Sequence, residues 1–281
     1  MFVEQQVAEH YGRRDLASEI LTALERAGKD LTCLRPDDLA SIDEFHIRGR
    51  DATAELGQAL LLDPSMTVLD VGSGLGGPSR HLADLYRCRV VGLDLTEEYC
   101  RAATLLTDRV GLRDIVEYTQ GSALDMPFPD ASFERVYTQH VAMNIPDKRR
   151  LYAEIARVLK PGSLFGIYDL LQGPGGPVHF PVPWARDPAT SFLIAPDELR
   201  NLLNGSGFEI VGWRDTSAEG HNWFRRLRER IERDDPPPLG FHLLLGSEFS
   251  EMARNQVRNL EEQRILPTEV ICRKIWGRKV S

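Results

Sequence analysis

Glycines at residues 72–77 carry the clearest chemical signal in the sequence. Gly72, Gly74 and Gly77 satisfy the pattern G-x-G-x-x-G directly after the largely apolar residues 67–71. Glycine has no Cβ, so such a segment can turn sharply and can let a ligand approach the backbone. A loop of this kind between a strand and a helix is typical of nucleoside-binding sites, and the pattern alone leaves the type of nucleoside open.

Two aspartates narrow the choice of nucleoside. Asp70 precedes the glycines inside the strand, where it would repel a pyrophosphate but tolerate or prefer an ammonium or sulfonium group. Asp94 ends the next predicted strand, where a carboxylate can accept hydrogen bonds from both hydroxyls of a ribose. Together they favour a nucleoside with a positively charged amino-acid tail over NAD.

A histidine and a loop supply candidates for catalysis and substrate binding. His140 follows the predicted strand 133–138, and its imidazole can accept a proton near neutral pH; the alternative is a structural hydrogen bond to a loop carbonyl. In the loop, Trp184 offers a cation–π contact of about 0.5–2 kcal/mol to a methylated ammonium, and Arg186 offers a partner for a carboxylate. The alternative is a packing tryptophan and a surface arginine.

A parallel sheet covered by helices would bring these groups to one edge. From residue 67, short β-branched and aliphatic runs alternate with amphipathic stretches, which is typical of such a sheet. The predicted strands are 67–71, 89–94, 115–119, 133–138, 164–168, 208–213 and 268–274, and the predicted helices among them are 78–86, 97–110, 148–159 and 196–203. Lys160-Pro161-Gly162 is a helix stop that turns the chain into the next strand.

The remaining segments suggest how the chain is divided. Residues 1–65 contain helical patterns and no strand, which predicts an N-terminal helical cap on a core of residues 66–281. Residues 172–188 hold three glycines and five prolines, so we expect an ordered loop that forms a lid. Residues 218–265 are expected to be a mostly helical insertion, interrupted by prolines 236–238.

Four segments in this order and spacing resemble the class I S-adenosylmethionine-dependent methyltransferases. They are VLDVGSGLGGPSRHLA, VVGLDL, GSALDMPFPDASFERVY and RVLKPGSLFGIYD, and the resemblance covers residues 67–170. It implies an α/β, Rossmann-like sheet in the order 3-2-1-4-5-7-6 with its last strand antiparallel. S-adenosylmethionine is then the expected cofactor.

The resemblance also implies roles for individual residues. Those near the methionine part of the cofactor are Gly72, Gly74, Gly76, Gln139 and Asp70, the last orienting the amine. Asp94 would hold the ribose, and the residues bordering the adenine would be Leu95, Ser122 and Ala123.

The N-terminal region resembles a narrower group, the sarcosine and dimethylglycine N-methyltransferases and, more distantly, the phosphoethanolamine methyltransferases. By this resemblance Tyr11 closes over the cofactor as a candidate catalytic residue, and Phe45 and His46 touch its methionine end. Met143 and Asn144 are candidate substrate contacts beside His140. The catalytic histidine of the phosphoethanolamine enzymes aligns with Asn144, and an amide can orient a substrate but cannot accept its proton.

Composition and charge argue against several other classes. The chain of 281 residues has 34 Lys and Arg against 42 Asp and Glu, and its charge of -8 would repel nucleic acid. No apolar run approaches the roughly 18 residues that span a bilayer, and the first residues are too charged for a signal sequence, so we expect a cytoplasmic protein without membrane insertion. The scattered cysteines, Cys33, Cys88, Cys100 and Cys272, and the histidine spacing predict no metal site.

The sequence thus predicts a methyltransferase of a small metabolite, with an amine such as sarcosine or dimethylglycine as the first choice. The alternative substrate class is an aromatic or isoprenoid natural-product intermediate methylated on oxygen or carbon. A non-enzyme alternative is a partner or sensor protein that binds S-adenosylmethionine. The sequence does not indicate the oligomeric state.

Overall fold

A single sheet of seven strands organises the described part of the chain. A computed structural model describes residues 4, 6, 16–233, 240 and 245–275. The strand order is 3-2-1-4-5-7-6, and the last strand runs antiparallel to both of its neighbours. This confirms the predicted α/β class and order. The strands are β1 Thr67–Val71, β2 Arg89–Asp94, β3 Val116–Gln120, β4 Phe133–Gln139, β5 Leu159–Gln172, β6 Phe208–Asp215 and β7 Ile265–Lys274.

Helices cover both faces of this sheet. Three of them have a proline in the first turn: Pro36, Pro78 and Pro196. Backbone amides in the first turn make no hydrogen bond within the helix, so proline, which has no amide hydrogen, is tolerated there. The helices described are α1 Leu16–Arg26, α2 Pro36–Asp43, α3 Arg50–Ala59, α4 Gly77–Tyr86, α5 Glu97–Arg109, α6 Lys148–Val158, α7 Pro196–Gly205, α8 Ser217–Arg233 and α9 Phe249–Glu261. No described helix combines the length and the apolarity needed to cross a membrane.

Two apolar layers hold the helices on the sheet. On one face α6 and α7 pack through Leu151, Ile155 and Leu203. On the other face α3 and α4 pack through Leu56 and Leu82. Because both faces are covered, β1, an interior strand of the sheet, has nearly all of its residues buried.

The N-terminal helices α1 and α2 join a third apolar cluster with α5. Leu16, Ile20 and Ile42 meet Tyr99 and Leu106 there. These helices therefore pack directly on a helix of the sheet region. The division at residue 65 stays a prediction.

The fifth strand is longer than predicted. Lys160, Pro161 and Gly162 lie inside β5, where the sequence predicts a turn before a strand over 164–168. The pairing with β4 shifts register between Leu159 and Leu164, so the proline, which has no amide hydrogen, falls in the irregular stretch. Beyond it, nine residues of β5 pair with β7 and extend the strand to Gln172.

The predicted lid and helical insertion also differ in detail from the expectation. The loop after β5 contains one short 3-10 turn, Pro188–Thr190, and continues to α7. Helices α8 and α9 overlap the residues predicted as a helical insertion, and the insertion itself stays a prediction. Prolines 236–238, predicted to interrupt it, lie outside the described residues.

Candidate active site

A cavity of about 360 Å³ opens at the carboxyl ends of β1, β2 and β4, where the strand order reverses. This is the place where open α/β sheets bind ligands, and the volume is in the range of small-molecule sites. The sequence-predicted residues that line it are Phe45, His46, Gly72, Gly74, Asp94, Leu95, Ser122, Ala123, Gln139, His140 and Asn144.

The glycine loop forms the floor of this cavity. Gly72 has a φ of +77°, and its N–H donates to the Leu93 carbonyl at 2.7 Å, which ties the loop to β2. A Cβ at Gly72 would lie 2.4 Å from Cγ2 of Val141, so the close approach to the segment after β4 requires glycine. At Gly74 a Cβ would have only Tyr99 within 4.0 Å, so this glycine borders open space.

Gly72→Ala is expected to weaken binding of S-adenosylmethionine by about tenfold or more. An alanine with a left-handed φ costs roughly 1–2 kcal/mol. Its Cβ would also force the side chain of Val141, which lines the cavity, to move. Calorimetric titration measures the change in Kd. Gly111→Ala is the matched control, because Gly111 has a φ of +71° and open space around it; it should lower the melting temperature and leave the Kd unchanged. Equal Kd values for both variants would contradict the role given to the loop.

Asp94 is fixed by the backbone of both loops that meet at the cavity. Its Oδ2 accepts a hydrogen bond from the Gly74 N–H at 2.8 Å, and its Oδ1 accepts one from the Thr96 N–H at 2.9 Å. Burial raises the pKa of Asp94, and these two hydrogen bonds oppose the rise. A carboxylate oxygen can accept more than one hydrogen bond, so each oxygen keeps capacity for a ribose hydroxyl.

Asp70 and Gly76 lie behind the loop and do not line the cavity. Asp70 is 2% exposed and accepts a hydrogen bond at 2.6 Å from the Ser79 hydroxyl in α4. Burial raises its pKa to about 7. A Cβ at Gly76 would lie 2.0 Å from the Tyr118 hydroxyl oxygen, so this glycine permits internal packing. The structure therefore does not bring these two residues to the predicted methionine site.

His46 and Gln139 meet at the other end of the cavity. The two Nε2 atoms lie 3.2 Å apart, and each also lies near the Thr53 hydroxyl, at 3.2 Å from His46 and 3.3 Å from Gln139. The Nε2 of His46 is 3.0 Å from the Gly49 carbonyl, which can only accept, so this nitrogen carries the hydrogen. Burial lowers the pKa of His46 to about 4, and the ring is neutral at pH 7.

His140 stands beside this pair with an unusual backbone. Its φ is +53°, and its N–H donates to the Tyr168 carbonyl at 2.8 Å. The imidazole stacks on the Tyr168 ring with centroids 5.4 Å apart and meets the His46 ring edge-on at 5.9 Å. Burial, and then the neighbouring His46, lower the pKa of His140 well below 6.5. Its Nε2 is buried without a hydrogen-bond partner among the described residues, and in the tautomer with the hydrogen on Nδ1 this nitrogen is an unused acceptor.

Two buried charges that the sequence analysis missed organise the segment after β4. Asp169 in β5 accepts from the backbone N–H of Ala142 at 2.7 Å, and Lys148 in α6 donates to the carbonyls of Ala142 at 2.6 Å and Ile145 at 2.9 Å. Burial raises the pKa of Asp169 to about 6 and lowers that of Lys148 to about 8. An acid inside the apolar run IYDLL was the available signal for Asp169, whereas Lys148 looks like an ordinary surface residue in the sequence.

Asn144 joins this segment to the loop after β5. Its Nδ2 donates to the carbonyls of Trp184 at 2.8 Å and Thr190 at 2.9 Å. The Trp184 side chain is 1% exposed and packs against Met143 in an apolar cluster, outside the cavity lining. Arg186 is 65% exposed and pairs with Glu248 at 2.9 Å. The structure therefore places Met143, Trp184 and Arg186 away from the cavity.

The extreme N-terminus is described only in part. Glu4 lines the cavity and accepts a hydrogen bond from the Ser122 hydroxyl. Tyr11, the predicted residue that closes over the cofactor, lies outside the described residues. Its role remains a prediction.

This donor set fits S-adenosylmethionine. The glycine loop leaves backbone open to the cavity, Asp94 has spare acceptor capacity for a ribose, and Leu95 and Ala123 offer apolar surface for an adenine. Gln139 and His46 would face the methionine end. No Lys or Arg among the described residues lines the cavity.

Comparison with known proteins agrees with this geometry. Residues 69–167 match a family model described as a methyltransferase domain. Sterol 24-C-methyltransferase of Eremothecium gossypii is 42% identical over 182 residues, which are 63% of this chain and 45% of that protein. The sarcosine/dimethylglycine N-methyltransferase of Halorhodospira halochloris is 27% identical over 194 residues, which are 69% of this chain and 68% of that protein. The chain spans less than half the length of the sterol methyltransferases that it matches.

A solved structure shows the same fold over nearly the whole chain. Geranyl diphosphate C-methyltransferase from Streptomyces coelicolor A3(2) aligns with a TM-score of 0.67 over 98% of this chain and 99% of that chain, at 14% identity. Together with the sheet order and the matched region, these similarities identify the fold and the domain. Residues 69–167 therefore match a methyltransferase domain and lie in a sheet of the order 3-2-1-4-5-7-6, which supports S-adenosylmethionine as the cofactor.

Proposed function

We propose that this protein transfers the methyl group of S-adenosylmethionine to a carbon atom of an apolar small molecule, at a carbon–carbon double bond of isoprenoid type. This is the alternative substrate class of the sequence analysis. The amino-acid amine, the first choice there, becomes the rival that the experiments below must exclude.

The charge of the cavity lining is the observation that carries the proposal. Its wall is mainly apolar, and a substrate carboxylate would find no Lys or Arg among the described lining residues. Arg186, the predicted carboxylate partner, is engaged with Glu248 at the surface, and Trp184 is packed in an apolar cluster. An apolar substrate needs neither group. The apolar lining residues include Ile42, Phe45, Leu75, Leu93, Leu124, Val141, Ile145 and Pro146.

The neutral histidines suit the proton balance of such a reaction. S-adenosylmethionine supplies, when bound, an electrophilic methyl group on a positively charged sulfur. A double bond has no proton to lose before its electron pair forms the new C–C bond, but a neighbouring C–H must release one afterwards to restore the double bond. His140, neutral and with an unused nitrogen, can accept that proton.

The relatives give independent support for carbon as the methyl acceptor. A sterol 24-C-methyltransferase is 42% identical, and a sarcosine/dimethylglycine N-methyltransferase is 27% identical over a similar length of this chain. The names of those proteins describe their own reactions. They make a lipophilic acceptor the better first test.

A labelled-methyl screen decides between the substrate classes. The protein is incubated with isotopically labelled S-adenosylmethionine and separate pools of sterols and linear isoprenoids, phenols, and sarcosine with dimethylglycine. We expect label on carbon in the isoprenoid pool. Label found only in the amine pool or on phenol oxygen would overturn the proposal, and cofactor binding without transfer to any pool or to a cell extract would favour a sensor protein.

The pH dependence of turnover gives a second discrimination. Methylation of an amine speeds up as pH rises toward the pKa of the amine, because the ammonium must lose its proton before attack. For a double bond we expect no such rise between about pH 6.5 and 8, because burial holds the pKa of His140 well below 6.5 and the base stays neutral. A steady increase of kcat with pH across this range, on the best substrate, would contradict carbon methylation.

A further inference from the structure

Glu44 is a buried acid whose side chain makes one hydrogen bond within the described part of the chain. Its side chain is 1% exposed, and its Oε2 lies 2.8 Å from the Thr53 hydroxyl oxygen. Among the described residues, the cation beside its other oxygen is Arg50, with Nε 3.6 Å from Oε1, beyond hydrogen-bond distance. Nothing in the reaction described so far uses this group.

The adjacent acid, Asp43, has the hydrogen-bonded cation that Glu44 lacks. The Arg80 guanidinium donates to Asp43 at 2.7 Å, and both side chains are 1% exposed. Burying a carboxylate without a bonded cation is costly, so the protonated form of Glu44 is favoured. Burial, and then repulsion by Asp43, raise the pKa of Glu44 to about 8.

The protonation state of Glu44 sets the direction of the hydrogen bonds behind the cavity. Thr53 has one hydroxyl hydrogen, and an ionised Glu44 would claim it. A protonated Glu44 instead donates to Thr53, whose hydrogen is then available to the Gln139 Oε1 at 3.4 Å. The Gln139 Nε2 is turned toward His46, whose Nε2 already donates to the Gly49 carbonyl, so the chain of donors runs from Glu44 through Thr53 and ends at Gln139.

We propose that Glu44 is a positioning residue for methyl transfer: as a neutral acid it donates a hydrogen bond to Thr53 and thereby orients Gln139 at the methionine end of the cavity. This rests on the proposed function, since the orientation matters for turnover. Glu44 itself does not line the cavity and does not touch the reacting atoms.

Among the charged groups around Glu44, Glu44 itself is the one whose protonation state changes between about pH 7 and 9. Asp43 is held by Arg80, the Arg50 guanidinium lies 3.6 Å from the Glu44 Oε1, and His46, with a pKa of about 4, is neutral throughout. Ionisation of Glu44 above pH 8 reverses the hydrogen-bond direction. Turnover should therefore fall as pH rises through 8.

Substitutions separate the hydrogen bond from the mere presence of a side chain. E44Q keeps a neutral donor, so kcat at about pH 7 should stay within about threefold of wild type and the alkaline fall should disappear. E44L and T53V break the chain and should lower kcat by about tenfold or more, with the Kd for S-adenosylmethionine within about threefold. E134Q is the control: it makes the same substitution near the start of β4, at the other end of that strand from Gln139. It should preserve both kcat and the alkaline fall.

Infrared spectroscopy tests the state of Glu44 without any substrate. The difference spectrum of wild type minus E44Q should show a protonated carboxylic acid band that disappears as pH rises through 8, because the band of Asp70, with a pKa of about 7, is common to both proteins and cancels. If no substrate is methylated, the proposed function fails while this band still decides the state of Glu44. Absence of the band at about pH 6 to 7, an alkaline fall that persists in E44Q, or a loss of kcat in E44Q as large as in E44L would overturn the proposal.

Discussion

Asp94→Ala is expected to weaken binding of S-adenosylmethionine by about 100-fold or more. Hydrogen bonds to a charged group contribute about 1.5–3 kcal/mol each, and two ribose hydroxyls would lose their acceptor. The alanine also leaves the N–H groups of Gly74 and Thr96 without the carboxylate that holds the two loops together. Calorimetric titration of the purified variant measures the effect.

The control for this variant is another acid on the same side of the sheet. Asp125 has a side chain that is 91% exposed and does not line the cavity, so Asp125→Ala should leave the Kd unchanged. NAD should give no heat with the wild type. An Asp94→Ala protein that binds S-adenosylmethionine within threefold of the wild-type Kd would show that the carboxylate does not hold the ribose.

His140→Asn is expected to lower kcat by about 100-fold or more while the Kd for S-adenosylmethionine changes less than threefold. An amide cannot accept the proton that His140 takes, and a positioned base contributes roughly a hundredfold to ten-thousandfold. Asparagine is chosen because it tolerates the φ of +53° better than alanine does, so the fold is disturbed least. Single-turnover measurements on the best substrate separate the chemical step from product release.

His179→Asn is the matched control for the loss of an imidazole. His179 pairs with Glu262 at 2.8 Å and does not line the cavity, so its substitution should leave kcat unchanged. Unchanged turnover in His140→Asn would remove His140 from the mechanism. A loss of cofactor binding as large as the loss of kcat would make His140 a structural residue instead.

Much of the fold could be predicted because the signals were local. The alternation of apolar runs with amphipathic stretches gives the order of the elements, and the resemblance gives the sheet order that the structure shows. The length of β5 could not be predicted in this way, because its extension to Gln172 depends on antiparallel pairing with β7 almost a hundred residues later in the chain. Pairing over such a distance leaves no pattern in either strand alone.

The candidate site likewise contains residues whose roles could be predicted from the sequence and residues whose roles could not. Gly72 and Asp94 were found because the strand, loop and helix around them are consecutive in sequence, and both line the cavity. Asp70 and Trp184 have suitable chemistry, but their side chains turn toward Ser79 and toward an apolar cluster, which only the packing decides. Glu44 escaped notice because its chemistry depends on Arg80, a distant residue, pairing with its neighbour instead.

A crystal structure of the protein with S-adenosylhomocysteine tests the central claim most directly. Both ribose hydroxyls should lie within hydrogen-bond distance of the Asp94 carboxylate, and the sulfur-bearing tail should run over Gly72 toward Gln139 and His46. The adenine should lie against Leu95 and Ala123. A nucleoside bound elsewhere, or a ribose out of reach of Asp94, would contradict it.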